Sequence, residues 1–399
     1  MKMLEKVLGR AVLTVFLKEV RENLRDRRTL ISALLTGPLI GPLMLVLLMN
    51  ITLNRQFEKA QKPLPVPVIG AEYAPNLINA LKVAGVVPLP AIADPEQAVR
   101  EQRADVVLRI TPDYPEFWQK GQTTQVEVIF DSSQRDSSAA EVRVGTLVET
   151  YARQQGAMRL VARGLVPATA SPVVASPRDQ ATAKARAALL FSVLPYFFVI
   201  TIFMGGMYLA IDLTAGERER QSLEPLFANP VPRGKILAGK LMAIGAFSCT
   251  SLLISLTTFS IVGRFVPAEK LGMELDLGWH FAVQVLLIML PLIALLGALQ
   301  SMVAAFAKSY REAQTYLSLL MLVPMVPSLV LSILPFKPQD WMYAIPLLGQ
   351  NLGIIRLLRG DGLSYIELGL CLAGSAIAAA VAIEATARLY RSERLAIST

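Results

Sequence analysis

Six apolar runs, at about 30–50, 189–213, 236–263, 281–307, 314–335 and 363–387, constrain this chain more than any other feature. Each approaches or exceeds the roughly 20 residues that a helix needs to cross the hydrocarbon core of a bilayer. In hydrocarbon only a helix or a closed barrel can satisfy its own backbone polar groups. The composition agrees, because 53% of the 399 residues are hydrophobic and only 18% are charged, against about 25% charged in soluble domains. The expected fold class is an α-helical integral membrane protein with six transmembrane helices and an α/β extracytoplasmic domain inserted between helices 1 and 2.

The formal net charge of +8 does not point to nucleic acid, because the basic residues gather beside the ends of the apolar runs. Lys2, Lys6, Arg10, Lys18, Arg21, Arg25, Arg27 and Arg28 precede the first run. Arg218, Arg220, Arg233 and Lys235 lie between the second and third, Lys308 and Arg311 between the fourth and fifth, and Arg388, Arg391 and Arg394 after the sixth. Counting spans puts all of these on one side, and the positive-inside tendency makes that side cytoplasmic. Both termini are therefore expected inside. The segment 336–362 keeps Lys337, Arg356 and Arg359 and is placed outside by span counting alone. The N-terminus reads as a retained anchor and not a cleaved signal, since its basic region is too long and no small-residue cleavage pattern follows.

Within 1–29, apolar residues at helical spacing from Leu4 to Leu24 alternate with Lys and Arg. This predicts a basic amphipathic helix on the inner leaflet, serving either as a surface anchor on membrane lipid or as part of a platform for a cytosolic partner. The first run, 30–50, carries Gly37, Pro38, Gly41 and Pro42, which predict a kink or a close helix contact.

Residues 51–188 lose the apolar character and alternate strand with helix, as an α/β domain does. Strands are expected at Val66–Ile69, Asp105–Ile110 and Gln125–Phe130, and helices near Asn76–Val83 and Pro95–Gln102. A long helix over about Ser137–Arg163 offers Val142, Leu147, Val148, Tyr151, Met158 and Val161 as buried positions. From 189 to 399 nearly everything is membrane-spanning, except an interrupted apolar stretch at 343–360. That stretch is too short to cross and is expected to form a re-entrant or interfacial helix on the outer side, or else a loop packed on the bundle.

Several kinds of chemistry are missing. No Gly-x-x-x-x-Gly-Lys-Ser/Thr loop occurs, so the usual phosphate cradle for ATP hydrolysis is absent. His280 is the single histidine and lies at a span edge, which leaves no zinc set; no metal site, resident cofactor or catalytic residue is expected. Cys249 and Cys371, the two cysteines, both fall in spans, so no disulfide framework is expected. No charge sits in the middle of a span, which argues against a proton-coupled carrier. Thr201, Gln284, Gln300, Ser301 and Gln314 either line a path or join helices by hydrogen bonds, with packing the default.

What remains is the segment 214–234, whose Gly216-Glu217-Arg218-Glu219-Arg220 is followed by Gln221, Ser222 and Leu223-Glu224-Pro225-Leu226. Four consecutive charges cannot sit in hydrocarbon, so a wet inner loop is expected, with Leu223, Leu226 and Phe227 as an apolar face. A partner docked there would act on both flanking spans at once.

These residues, with Pro230, Arg233, Gly239-Lys240 and the later Pro346-Leu347-Leu348-Gly349-Gln350, resemble the membrane subunit of type-two ATP-binding-cassette (ABC-2) exporters, and among them the NatB-like permeases. The resemblance implies a bacterial cytoplasmic-membrane permease that pairs with a second permease subunit and receives a separate ATPase subunit at the inner face. ATP and Mg would belong to that ATPase. It implies that Glu217, Arg218, Glu219, Arg220 and Glu224 form the ATPase contact, and that Pro346, Gly349, Gln350 and Asn351 belong to the outer re-entrant segment. A periplasmic partner for the outer domain is a further expectation. The rival reading is a membrane sensor or scaffold whose outer domain binds a ligand or partner, which the lack of any cytoplasmic output domain disfavours.

Overall fold

The computed structural model describes residues 9–26, 30–170, 173, 176, 178–222, 230–268, 272–333 and 337–391. The chain divides into two compact units, Met1–Ile51 with Gln180–Thr399, and Thr52–Asp179.

The first unit opens with helix α1 (Arg10–Arg25). A π-helical turn, Ile31–Thr36, then leads into α2 (Gly37–Gln61), which carries Pro42 inside it. A π turn holds one extra residue per hydrogen-bonded ring and bends a helix. It sits just before the Gly and Pro cluster, so the irregular backbone spreads over two turns. Asn50 Nδ2 donates to the Phe265 carbonyl at 3.1 Å and ties the helix to a distant part of the same unit.

In the second unit, β1 (Leu64–Ile69), α3 (Pro75–Val83), β2 (Val86–Leu89), α4 (Pro95–Arg100) and β3 (Val107–Ile110) follow in turn. Then come α5 (Tyr114–Gln119), β4 (Val126–Ile129) and α6 (Arg135–Ala162). The sheet order is β2-β1-β3-β4, with the first three strands parallel and β4 antiparallel to β3. Its core gathers Val66, Val68, Leu77, Leu81, Leu108, Ile110, Val144 and Tyr151.

Strand β2 is absent from the sequence reading, because Val86-Val87-Pro88-Leu89 is short and contains proline. It pairs on one side only, through Leu64↔Val86 to Pro67↔Leu89, and an edge strand tolerates a residue with no N–H to donate. On α6 the buried face agrees with the expected one in part: Tyr151 is buried and Leu147 and Val148 pack against the core. Ser137, Ala140, Val144 and Tyr151 are buried at helical spacing, while Val142, Met158 and Val161 are exposed. Val142 points away from this stripe, whereas Met158 and Val161 come after Tyr151, the last buried residue of the helix, so their apolar character did not decide their burial.

The first unit resumes with α7 (Ala183–Leu190) and α8 (Leu194–Ile211), which continues through a π turn at Asp212–Gly216 into one further turn, Glu217–Glu219. Next are α9 (Arg233–Val262), α10 (Trp279–Ala304), α11 (Tyr310–Leu320) and α12 (Leu322–Ile333). The last two are α13 (Leu348–Arg359) and α14 (Tyr365–Arg391). Among the described residues six helical stretches are long and apolar enough to cross a membrane: Ala33–Arg55, Leu194–Glu219, Arg233–Phe265, Trp279–Ala304, Tyr310–Val330 and Tyr365–Arg391.

Helix α8 is the most enclosed and packs on α9, α10 and α12. Polar side chains stitch this contact: Gln300 Nε2 donates to the Phe203 carbonyl at 2.7 Å and Ser248 Oγ to Ile202 at 2.9 Å, while Ser251 Oγ of α9 donates at 2.9 Å to Ala33 in the π turn before α2. Between apolar helices such bonds give direction to a contact that burial alone leaves unspecified.

Candidate coupling site

The end of α8 does not become a free loop at Gly216. Helical structure runs on to Glu219, with Gln221 in a left-handed conformation (φ 54°) and the Ser222 N–H donating to the Glu217 carbonyl at 2.9 Å. Residues 223–229, and so Glu224 with the apolar positions Leu223, Leu226 and Phe227, lie outside the described residues.

Each charge of the motif has a different partner. Glu217 is buried and forms an ion pair with Lys240 of α9, which is 1% exposed. Lys240 Nζ also donates to the Leu213 carbonyl at 2.7 Å, inside the π turn. Arg218 reaches the Ala307 carbonyl at 3.5 Å. Glu219 Oε2 accepts the Tyr310 N–H at 2.7 Å, at the start of α11 where Ser309 is the N-cap. Arg220 Nη2 turns back to Asp212 Oδ1 at 2.8 Å. Glu219 and Arg220 are exposed, whereas Glu217 faces inward and is not part of a wet surface. The reason is Lys240, which supplies the counter-charge that a carboxylate needs before it can leave water.

Helix α1 completes the cluster. It packs along α9, where Gly239 allows the approach: a Cβ there would lie 2.7 Å from Val15 Cβ. Its inward stripe is Val12, Leu13, Glu19 and Asn23, so this face is mixed and not purely apolar. Glu19 is 1% exposed, with Lys18 Nζ at 3.3 Å from Oε1 and Oε2 without a hydrogen-bond partner. Burial raises its carboxyl above the usual range, opposed in part by the fields of Lys240 and Lys18. Neither Glu19 nor Lys240 was assigned a role from the sequence. The available signals were a carboxylate on the apolar stripe of α1 and the single charge within the third run.

The 343–360 segment, expected on the outer side, forms a second polar knot, built around α13. Its 12 residues span about 18 Å at 1.5 Å per residue, short of a bilayer. Leu347 precedes it with φ 71°, a conformation disfavoured for a side chain of that size. Gln350 Oε1 accepts the Leu347 N–H at 2.7 Å, and Gln350 Nε2 donates to Ser375 Oγ at 2.7 Å. Asn351 Nδ2 donates to the Leu347 carbonyl at 3.0 Å and to Ser328 Oγ at 3.3 Å. Gly349 is pressed against the Tyr343 carbonyl, where no Cβ fits. Pro346 is half-buried at the bend, while Gly349, Gln350 and Asn351 are buried. Arg356 pairs with Glu367, whose Oε2 also accepts the Ser364 N–H at 2.8 Å.

Among the described residues no cluster of three or more His, Cys, Asp or Glu is placed to hold an ion.

The family described as ABC-2 family transporter protein matches residues 27–383. The chain is also 28% identical over 318 residues to the ABC transporter permease protein NatB of Bacillus subtilis (strain 168), covering 78% of this chain and 80% of that one. With six helices of membrane-crossing length, and a family match that runs through all of them, this chain belongs to the ABC-2 family of transporter proteins as a multi-pass membrane permease.

Proposed function

We propose that the chain is the membrane-spanning half of an ATP-driven exporter in the bacterial cytoplasmic membrane. It works as a dimer, has both termini in the cytoplasm, and takes its energy from a separate ATPase subunit that holds ATP and Mg. The observation that carries this reading is the buried Glu217–Lys240 pair. Through it, and through Glu219 with Tyr310 and Arg218 with Ala307, the end of α8 is bonded to α9 and to the turn between α10 and α11. A partner that pushes on the exposed Glu219 and Arg220 would displace a helix end held by short bonds to two neighbours, so the load reaches the spans directly. ATP drives the change only if the ATPase binds the two arrangements with different affinity.

In this reading Glu219, Arg220 and residues near Glu224 meet the ATPase, Arg218 lies behind them, and Glu217 acts from inside as the link to α9. The outer segment around Pro346, Gly349, Gln350 and Asn351 forms part of the wall of the path, and the 52–179 unit is extracytoplasmic. The test is to seek a phosphate-loop ATPase in the reading frame beside this chain's, co-purify the two, and measure ATP hydrolysis in liposomes. Reversing both exposed charges, Glu219→Arg with Arg220→Glu, should release the ATPase while leaving the permease folded. An intact complex with full transport would overturn the assignment.

A further inference from the structure

Helix α9 starts at Arg233 and α14 ends at Arg391, and both belong to membrane-crossing stretches, Arg233–Phe265 and Tyr365–Arg391. Arg233 Nη1 donates to the Tyr390 carbonyl at 3.5 Å and to the Arg391 carbonyl at 3.3 Å, so the start of one span is tied to the end of another. Leu237 of α9 packs with Ala387 and Tyr390 of α14 just inside this junction. The junction therefore lies at the level where two spans leave hydrocarbon, which is where phospholipid headgroups sit.

An open cleft of about 530 Å³ occupies the junction, lined by Pro232, Arg233, Gly234, Lys235 and Arg391. Every charged side chain in that lining is a cation. Across 230–240 and 388–394 the sequence sets Arg233, Lys235, Lys240, Arg388, Arg391 and Arg394 against Glu393 alone; Glu393 and Arg394 lie outside the described residues. Lys240 is matched by Glu217 and Arg388 by Glu384. Lys235 and Arg391 are exposed and, among the described residues, have no ion-pair partner. A cleft lined by one sign of charge against low-dielectric walls concentrates the opposite ion.

On α14 the exposed side chains of Ile377 and Val381 stand one turn apart, and the same face continues through Glu384 and Arg388 to Arg391. From Ile377 to Arg391 this stripe runs about 21 Å at 1.5 Å per residue, apolar within the span and charged at its end. A free anion would use only the basic end. A phospholipid uses the whole stripe, with an acyl chain beside the apolar part and its phosphate at the cleft, and basic pockets between membrane helices hold anionic headgroups in this way.

We propose that this junction binds an anionic phospholipid, its phosphate held by Lys235 and Arg391 and one acyl chain laid along Ile377 and Val381. The assignment needs no ATPase and is measured without one, so it and the coupling reading can fail separately. Full-length protein in neutral detergent, titrated with phosphatidylglycerol that carries a fluorescent acyl chain, should show a saturable rise in anisotropy. Unlabelled phosphatidylglycerol should displace the probe; phosphatidylcholine, or inorganic phosphate at constant ionic strength, should not. Each cation beside a headgroup is worth about fivefold in affinity, so Lys235→Gln with Arg391→Gln should weaken binding at least about tenfold. Lys308→Gln with Arg311→Gln, which removes the same charge beside another span end, should leave binding unchanged. If the first double variant does not fold, Arg391→Gln alone decides, with a loss of about fivefold. The proposal is overturned if phosphatidylcholine displaces the probe as well as phosphatidylglycerol does, or if inorganic phosphate displaces it, which would make this a site for a free anion. Undiminished binding after loss of the Lys235 and Arg391 charges, or an equal loss in the Lys308 and Arg311 variant, overturns it too.

Discussion

At the scale of single residues, the Glu217–Lys240 pair and the neighbouring Glu19 hold most of the information. Removing one partner of a buried pair strands the other charge, at a cost of about 3–5 kcal/mol. Lys240→Met should therefore lower the unfolding temperature sharply in detergent. Adding Glu217→Gln to Lys240→Met should recover part of the loss, a coupling that a double-mutant cycle measures.

Glu19 predicts a pH dependence of definite sign. Burial favours its neutral acid, so the folded state keeps the proton to a higher pH than the unfolded chain, whose carboxyl titrates near 4.5. The stability this group contributes is complete below that pH and is lost as pH rises through the raised folded value. Glu19→Gln should consequently unfold at a higher temperature than the parent near neutral pH, and the gap should close as the pH falls towards 4.5. A gap that widens on acidification would reverse the assignment.

At the scale of elements, helices are stopped and joined by backbone contacts as much as by side chains. Helix α13 begins where Gly349 touches the Tyr343 carbonyl and Gln350 accepts the Leu347 N–H. Gly349→Ala places a methyl group against backbone that has no rotamer to yield, so a loss of about 1–3 kcal/mol is expected. The loss should come with faster hydrogen exchange in α13 and little change in α1. Periodicity and the inserted turns explain which parts of these elements were readable. The runs that became α8, α9, α10 and α14 are continuous and apolar, so their existence followed from hydropathy. Strand β2 and the inward face of α6 did not, because short edge strands and half-buried helices depend on what lies opposite.

At the scale of the molecule, the proposed topology can be tested directly. In a background with Cys249 and Cys371 replaced, a cysteine at Glu219 should resist an impermeant thiol reagent in intact cells and react after lysis. A cysteine at the exposed Val142 of the 52–179 unit should react without lysis. The opposite pattern would invert the chain and remove the coupling proposal with it.

Local composition was enough for the number of membrane-crossing helices and the α/β character of 52–179, while the family resemblance came from the ordered motif that starts at Gly216. Hydropathy and strand propensity act along the chain, and the polar backbone leaves hydrocarbon few alternatives. Tertiary structure alone decided that Glu217 turns inward to Lys240, that Glu19 of α1 joins them, and that Trp118 of α5 stacks on Tyr151 of α6. Those arrangements join residues far apart in sequence, and a buried charge or a stacked ring is settled by its partner across the contact, which no local pattern contains.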